Sequence, residues 1–309
     1  MLKLAVLGSG SSGNSALVCL GETRILIDAG LSAKQLCLRL ETLGVDPDTL
    51  SGIVLTHEHG DHTRGIDVFC RKRSIPIYGT THTCAVVREQ VKSVVPWHQF
   101  ESGNDFRIGE VQVESFSVPH DAVDPVGFIF RCTESSVGVL SDVGHVTRMI
   151  VERLKGVNTL FTEANYDEVM LQNDTKRPWS TKQRISNRHG HLSNEQTAEL
   201  VSQIASPNLT RVILGHLSSD CNTPELAKSV IAEKLKLVGL DKVTVQCADR
   251  VEPIHLSPVA KESPALPKPP EEIAQEKPAK SARVCESTAL AGTPPTTPSE
   301  DLNQTEWAF

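Results

Sequence analysis

Three imidazoles and two carboxylates occupy six consecutive residues, His57-Glu58-His59-Gly60-Asp61-His62, directly behind the apolar run Gly52-Ile53-Val54-Leu55-Thr56. The run reads as a buried strand that stops where the polar residues begin, which puts the cluster on a loop at a strand's C-terminal end. Alternate residues of an extended stretch point the same way. His57 and His59 can therefore grip one ion, while Asp61 and His62, past the turn at Gly60, reach a second. Such a density of polar groups against a buried strand is costly unless a cation holds it. The competing picture, a polar surface loop with chance histidines, leaves at least four ligand-type residues in six positions without a cause.

The remaining ligands of a two-metal site are sought where other β-like runs end in His or Asp. The alternating stretch from Val111 to Val118 gives Pro119-His120; Ser136-Val137-Gly138-Val139-Leu140-Ser141 gives Asp142; Arg211-Val212-Ile213-Leu214-Gly215 gives His216. Each alone is equally a turn-forming Asp or a hydrogen-bonded histidine at a strand end. Four strand ends carrying ligand types point to one shared site.

Composition bounds the class. A chain of 309 residues, 39% hydrophobic, has the length for one α/β domain and a tail. Its eight cysteines are scattered without a CxxC pair, which suits reduced thiols and a cytoplasmic location. The apolar start, residues 2 to 7, is too short for a signal peptide, no stretch approaches ~20 apolar residues, and no membrane partner is expected. Periodicity predicts strands near 3–7, 15–20, 24–28, 75–79, 111–118, 126–132, 136–141, 158–161 and 211–215. Helices are predicted near 32–43, 82–91, 147–155, 194–205 and 224–238. Ser193 with Gln196 makes a capping box, and Thr223-Pro224 supplies an N-cap and a first-turn proline. The elements fall into two similar halves over a domain of residues 1–255. Residues 256–309 are rich in Pro, Lys, Glu, Ser and Thr and read as a disordered tail, whose closing Thr305-Glu306-Trp307-Ala308-Phe309 is either a docking peptide for a protein partner or an incidental end.

HxHxDH followed by His120, Asp142 and His216 at strand ends resembles the metallo-β-lactamase-fold hydrolases, over about residues 1 to 250. Within that superfamily the chain looks most like the WalJ (YycJ) branch, a bacterial group regarded as nuclease-like. The residues that carry this are Gly8-Ser9-Gly10-Ser11-Ser12-Gly13-Asn14-Ser15, Leu26-Ile27-Asp28-Ala29-Gly30 and Gly190-His191-Leu192-Ser193-Asn194. The resemblance implies an α/β, four-layer αββα sandwich with the site at one edge between two sheets. It implies that His57, His59 and His120 hold one divalent ion, that Asp61, His62 and His216 hold another, and that Asp142 bridges them. Asp28 matches the family's carboxylate that steadies a ligand from behind; on the residues alone it is as readily a strand-end turn. Zinc is the default for a His-rich, Asp-bridged pair, and manganese tolerates the same ligands.

A bridging carboxylate draws two ions to within about 4 Å, which suits in-line displacement at phosphorus. The implied function is a dinuclear-metal hydrolase acting on phosphodiesters of DNA or RNA through a hydroxide between the ions. A thioesterase or lactonase of the glyoxalase type uses the same ligands and is the alternative; a metal-bound scaffold working through the tail is a third reading. The diiron members carry Glu where this chain has His59, so a redox role fits less well.

Substrate contacts are sought between Glu163 and His191, where Lys176, Arg177, Lys182, Arg184 and Arg188 gather near Trp179 against the single acid Asp174 across residues 172–190. This is what a phosphate backbone and an unstacked base require, or else a solvated loop. Phe161-Thr162-Glu163-Ala164-Asn165 and His191-Leu192-Ser193 resemble the EAxF and HST elements of tRNA-maturation nucleases, with Leu192-Ser193 and Asn165-Tyr166 as departures. By that match His191 donates a proton to the leaving oxygen, Glu163 orients it, and Asp61 completes the catalytic set. Ser11 and Ser12 lie in a loop that is either a phosphate-binding nest or a tight hairpin turn.

Overall fold

The computed structural model describes residues 1–249 and 252–258. Strands β1 (Lys3–Gly8), β2 (Ser15–Leu20) and β3 (Thr23–Ile27) form a meander from leucine-, valine- and isoleucine-rich runs cut by glycine turns. After α1 (Ala33–Thr42) come β4 (Gly52–Val54), the short α2 (Gly60–Thr63) and α3 (Ile66–Cys70), β5 (Ile77–Thr80), α4 (Thr81–Gln90) and β6 (Trp97–Phe100). The second half begins with β7 (Asp105–Ile108), β8 (Val111–Ser117), β9 (Val126–Arg131), β10 (Ser136–Leu140), α5 (Arg148–Leu154) and β11 (Thr159–Glu163). It continues through α6 (Glu168–Asn173), α7 (Trp179–Ser186), α8 (Asn194–Gln203), β12 (Arg211–Gly215), α9 (Pro224–Leu237) and β13 (Thr244–Cys247) to β14 (Ile254–Pro258). The capping box at Ser193 and the Thr223 cap of α9 form as their sequences predict.

Among the described residues the strands make two seven-stranded sheets, ordered β14-β1-β2-β3-β4-β5-β6 and β13-β12-β11-β10-β9-β8-β7. Both halves follow one plan: the first four strands of each are antiparallel, and the pairs beyond β3 and beyond β10 are parallel.

Strand alternation decides the layering, because successive side chains leave opposite faces of a sheet. Leu4, Val6, Val18 and Ile25 of the first sheet pack with Val113, Phe128, Val139 and Ile213 of the second, in a core between the sheets. Their neighbours Leu7, Leu17, Leu26 and Ile53 pack outward on Leu36 and Leu40 of α1. On the far side Ile129, Leu160 and Val212 pack on Ile150 and Leu154 of α5, Leu200 and Val201 of α8 and Ile231 of α9. The order is helix, sheet, sheet, helix, the αββα sandwich anticipated from the sequence. Among the described residues no helix is long and apolar enough to cross a membrane.

Periodicity misses β6, β7 and β13. Each is four residues long and half-exposed, so little apolar alternation marks it. α7 also escapes, since none of its residues is buried and no apolar stripe exists to find. The domain boundary needs one correction: β14 pairs with β1 through Leu4↔Ser257 and Lys3↔Pro258, so an end at residue 255 cuts inside a strand. The tail from residue 259, with its candidate docking peptide, lies outside the described residues.

A chain ending at Pro258 should keep the melting temperature of the full chain, whereas one ending at Ile254 exposes the edge of β1 and should melt several degrees lower. Equal melting of the two truncations would show β14 to be dispensable.

Candidate metal centre

The strand ends deliver their residues to one place. β3 ends into Asp28, β4 into Thr56–His62, β8 into His120, β10 into Asp142, β11 into Glu163 and β12 into His216. Asp28, Asp142 and His216 have φ of 56°, 53° and 51°, and among the described residues they are the only non-glycine residues with positive φ. The left-handed region costs an L-residue of order 1 kcal/mol or more, and it turns the side chain sharply off the strand direction. Three such turns at one site mark a geometry that the surrounding packing enforces.

Asp28 braces the motif loop from behind. Its Oδ1 and Oδ2 accept from the Thr56 backbone N–H and hydroxyl, each at 2.8 Å, and Oδ2 lies 2.8 Å from His62 Nδ1. This fixes the His62 ring with Nε2 inward, 2.6 Å from Asp142 Oδ2. The motif loop is gripped further by Asn14, which the sequence reading missed. Its amide nitrogen sits 3.1 Å from Asp61 Oδ2 and 3.0 Å from His62 Nε2, while its Oδ1 accepts from Gly10 N–H at 2.8 Å. The Ser9–Ser15 loop is thus the connection of the β1–β2 hairpin that carries Asn14 inward. Ser9 ties it to the other half, with Oγ accepting from His216 N–H at 2.7 Å. Gly30 must be glycine here, since a Cβ would overlap the Asp61 carbonyl.

Two ligand-type groups result. In one, nitrogens of His57, His59 and His120 lie within 4.8 Å of one another; in the other, so do atoms of Asp61, His62, Asp142 and His216. His57 Nε2 and His59 Nδ1 are 3.0 Å apart, close to the edge of a tetrahedron built on bonds of about 2.05 Å. Asp142 lies between the groups, with Oδ1 2.9 Å from His216 Nδ1 and Oδ2 near His62 Nε2 and, at 3.5 Å, His57 Nε2. His216 Nε2 is buried without a hydrogen-bond partner, 3.6 Å from Asp61 Oδ2. An orphaned ring nitrogen aimed at a carboxylate across such a gap fits a cation between them. No cysteine enters either group.

Electrostatics sort the rings. Burial opposes charge on His62, but Asp142 and Asp28 outweigh it and push its pKa up to about 10. His216 is raised well above the usual imidazole value in the same way, burial again yielding to Asp142. His57 is held well below that value by burial and by His62 beside it, and burial also lowers His120. Asp142 stays ionised far into acid because His216 and His62 overcome its desolvation. The centre attracts positive charge around Asp142 and keeps His57 and His120 neutral, which is what cation ligation asks of each.

A third group adjoins these. Glu163 Oε1 accepts from Val143 N–H at 2.6 Å, and Oε2 lies 2.9 Å from His191 Nδ1. His191 is one-fifth exposed and lines a cleft of about 290 Å³ with His59, Asp61, His120 and His216. Asn165, also unforeseen, donates to the His216 carbonyl at 2.8 Å.

The expected basic cluster divides. Ser11 and Arg184 line the cleft, Arg184 pairing with Asp121 at 3.1 Å; Ser12 is exposed outside its lining. Lys176 pairs with Asp220 at 2.6 Å, and Arg177 with Asp174 at 2.8 Å and Asp220 at 2.9 Å. Asp220 comes from beyond the segment, so the local positive surplus is smaller than the sequence indicates. Arg188 is turned to His145, 3.1 Å away, and Trp179 and Lys182 line a separate pocket.

Opposite pKa shifts give metal-stripped protein a stability maximum. The contributions of His62 and His216, raised on folding, are fully present below about 6.5 and are lost as pH climbs toward the folded values, about 10 for His62. His57 and His120, lowered on folding, cost stability below about 6.5, where the unfolded rings take up protons that the folded ones refuse. Chelator-treated protein should melt highest near neutrality and lower toward either side; a melting temperature rising steadily into alkali contradicts this sorting.

Comparison with known proteins places the chain. Residues 23–217 match the family model described as the Beta-lactamase superfamily domain. The chain is 34% identical over 241 residues to exodeoxyribonuclease YycJ of Bacillus anthracis, covering 77% of this chain and 90% of that protein. It is 34% identical over 243 residues to exodeoxyribonuclease WalJ of Streptococcus pneumoniae, with the same shares of the two chains. The Bacillus subtilis metallo-β-lactamase-fold protein YhfI shares the fold, with a TM-score of 0.60 at 15% identity over 82% of this chain and 99% of its own. By family model, identity and shared length, the chain belongs to the metallo-β-lactamase-fold superfamily and is a WalJ-like member of it.

Proposed function

We propose that this chain is a divalent-metal-dependent phosphodiesterase that degrades DNA from an end, holding two ions, zinc or manganese. The observation that carries the reading is Asp142, one buried carboxylate whose Oδ2 lies 2.6 Å from His62 Nε2 of one group and 3.5 Å from His57 Nε2 of the other, while its Oδ1 lies 2.9 Å from His216 Nδ1. The WalJ and YycJ relatives, both exodeoxyribonucleases, add the substrate class. His57, His59 and His120 would hold one ion and Asp61, His62 and His216 the other, with Asp142 shared. When bound, such a pair lowers the pKa of water and neutralises charge developing on phosphoryl oxygens.

The chain's own residues supply the remainder. Glu163 is kept anionic because His191 and its hydrogen bonds overcome desolvation, and two backbone N–H groups, from Val143 and Leu192, fix its orientation. It therefore holds the proton on His191 Nδ1 and leaves Nε2 to exchange a proton with the leaving oxygen at the cleft. Arg184 and Ser11 border the same cleft, where a strand's phosphates would lie.

His191→Ala should lower kcat for bis(p-nitrophenyl) phosphate by roughly 10²- to 10⁴-fold while metal content stays that of the parent. A variant that loses metal would make His191 a ligand. Protein purified without added metal should carry two ions per chain, and Asp142→Ala should lose both metal and the cleavage of end-labelled DNA. Hydrolysis of a thioester in preference to phosphodiesters would overturn the proposal.

A further inference from the structure

We propose that the pocket on the far side of α7 takes an unstacked base of single-stranded DNA, two or three nucleotides from the bond being cut; the inference rests on the phosphodiesterase reading. α7 presents Thr181, Arg184 and Ile185 to the metal cleft. Trp179, Lys182, Gln183 and Ser186 line a second pocket of about 400 Å³. At 100° per residue these two sets fall on opposite faces of one helix. The helix is thus a ridge between the two depressions, about 10–12 Å across with its side chains, which a strand rising at least about 3.4 Å per nucleotide spans in roughly three.

The chemistry of this second pocket suits a base. Trp179 is 67% exposed, far more than packing requires, and offers an open indole face at the start of α7. Its floor includes Tyr166, which is buried. Amides of Gln172 and Gln183 line it, and an amide offers the paired donor and acceptor that a base edge presents. The Lys182 ammonium donates to the Gln172 carbonyl at 2.7 Å and lies on the path a phosphate takes over the ridge. With Glu168 also in the lining the pocket has no net charge, which favours a neutral base over a second phosphate. A base inside a duplex is covered on both faces, so the pocket selects a single strand or a frayed end. Ile185 of α7 packs on Tyr166, Leu171 and Cys221, whereas Trp179 joins no hydrophobic cluster among the described residues, so core packing does not account for it.

Base stacking on an aromatic ring predicts that Trp179→Ala lowers the ratio of kcat/KM for a single-stranded oligonucleotide to that for bis(p-nitrophenyl) phosphate by about 5- to 100-fold, mostly through KM. Trp179→Phe should restore most of it. An abasic residue placed at successive positions from the cleaved bond should weaken binding at one position in the parent and at none in Trp179→Ala. A ratio unmoved by Trp179→Ala, or a flat abasic profile in the parent, overturns the inference and assigns the pocket to a protein side chain or to nothing. A parent that cleaves bis(p-nitrophenyl) phosphate but no single-stranded DNA also overturns the inference, whereas a parent that cleaves neither overturns the phosphodiesterase reading.

Discussion

The structure depends on one burial that no apolar chain would make. Asp142 is sealed at the seam of two sheets, 2.6 Å from His62 Nε2 and 2.9 Å from His216 Nδ1, and the two rings follow β4 and β12, strands of different sheets. Removing a carboxylate from water costs several kcal/mol unless positive charge replaces the solvent. Everything around Asp142 supplies that replacement or prepares for it: raised pKa values on His62 and His216, lowered ones on His57 and His120, and a second carboxylate, Asp61, across the gap. The same field that holds protons on two rings draws a divalent cation with greater force. Folding and metal binding are therefore coupled through the same side chains.

That burial is possible because both sheets end their parallel strands on one edge. Left-handed turns at Asp28, Asp142 and His216 swing side chains inward immediately after β3, just beyond β10 and immediately after β12. Behind them a rigid lattice takes up the strain. Asp28 locks Thr56 and His62, Asn14 locks Asp61, Ser9 locks the backbone of His216, and Glu163 locks His191. Each brace reaches across from a neighbouring strand end or from the opposite half, so the centre is assembled only when the two halves dock.

The rim of the cleft is built differently. Where the candidate metal centre is buried and braced, α7 is an exposed eight-residue helix resting between two depressions, with the cleft of that centre on one flank and an open aromatic face on the other. A braced centre with an exposed rim suits a polymer substrate, for which chemistry must be fixed while the sequence passing through varies.

Much of this was legible in the sequence, and the division is physical. The ligand types sit at ends of apolar runs because a strand that buries its side chains can present polar groups only where it stops; a linear pattern therefore exposed all seven candidate ligands, the core strands and the capped helices α1, α4, α5, α8 and α9, though not the short α6 behind its Asp167 cap. The edge strands β6, β7 and β13 left no such pattern, because a strand half-covered by protein needs little apolar alternation. Charge misled where it is settled by distant partners: Asp220 neutralises Lys176 and Arg177 from outside their segment, and helical geometry turns Trp179 and Lys182 away from the metals. Asn14, Asn165 and Ser9 were silent for the same reason, being ordinary loop residues until the two sheets meet. Sequence determines which groups a strand end offers; only the packing of one half against the other decides which of those groups face each other.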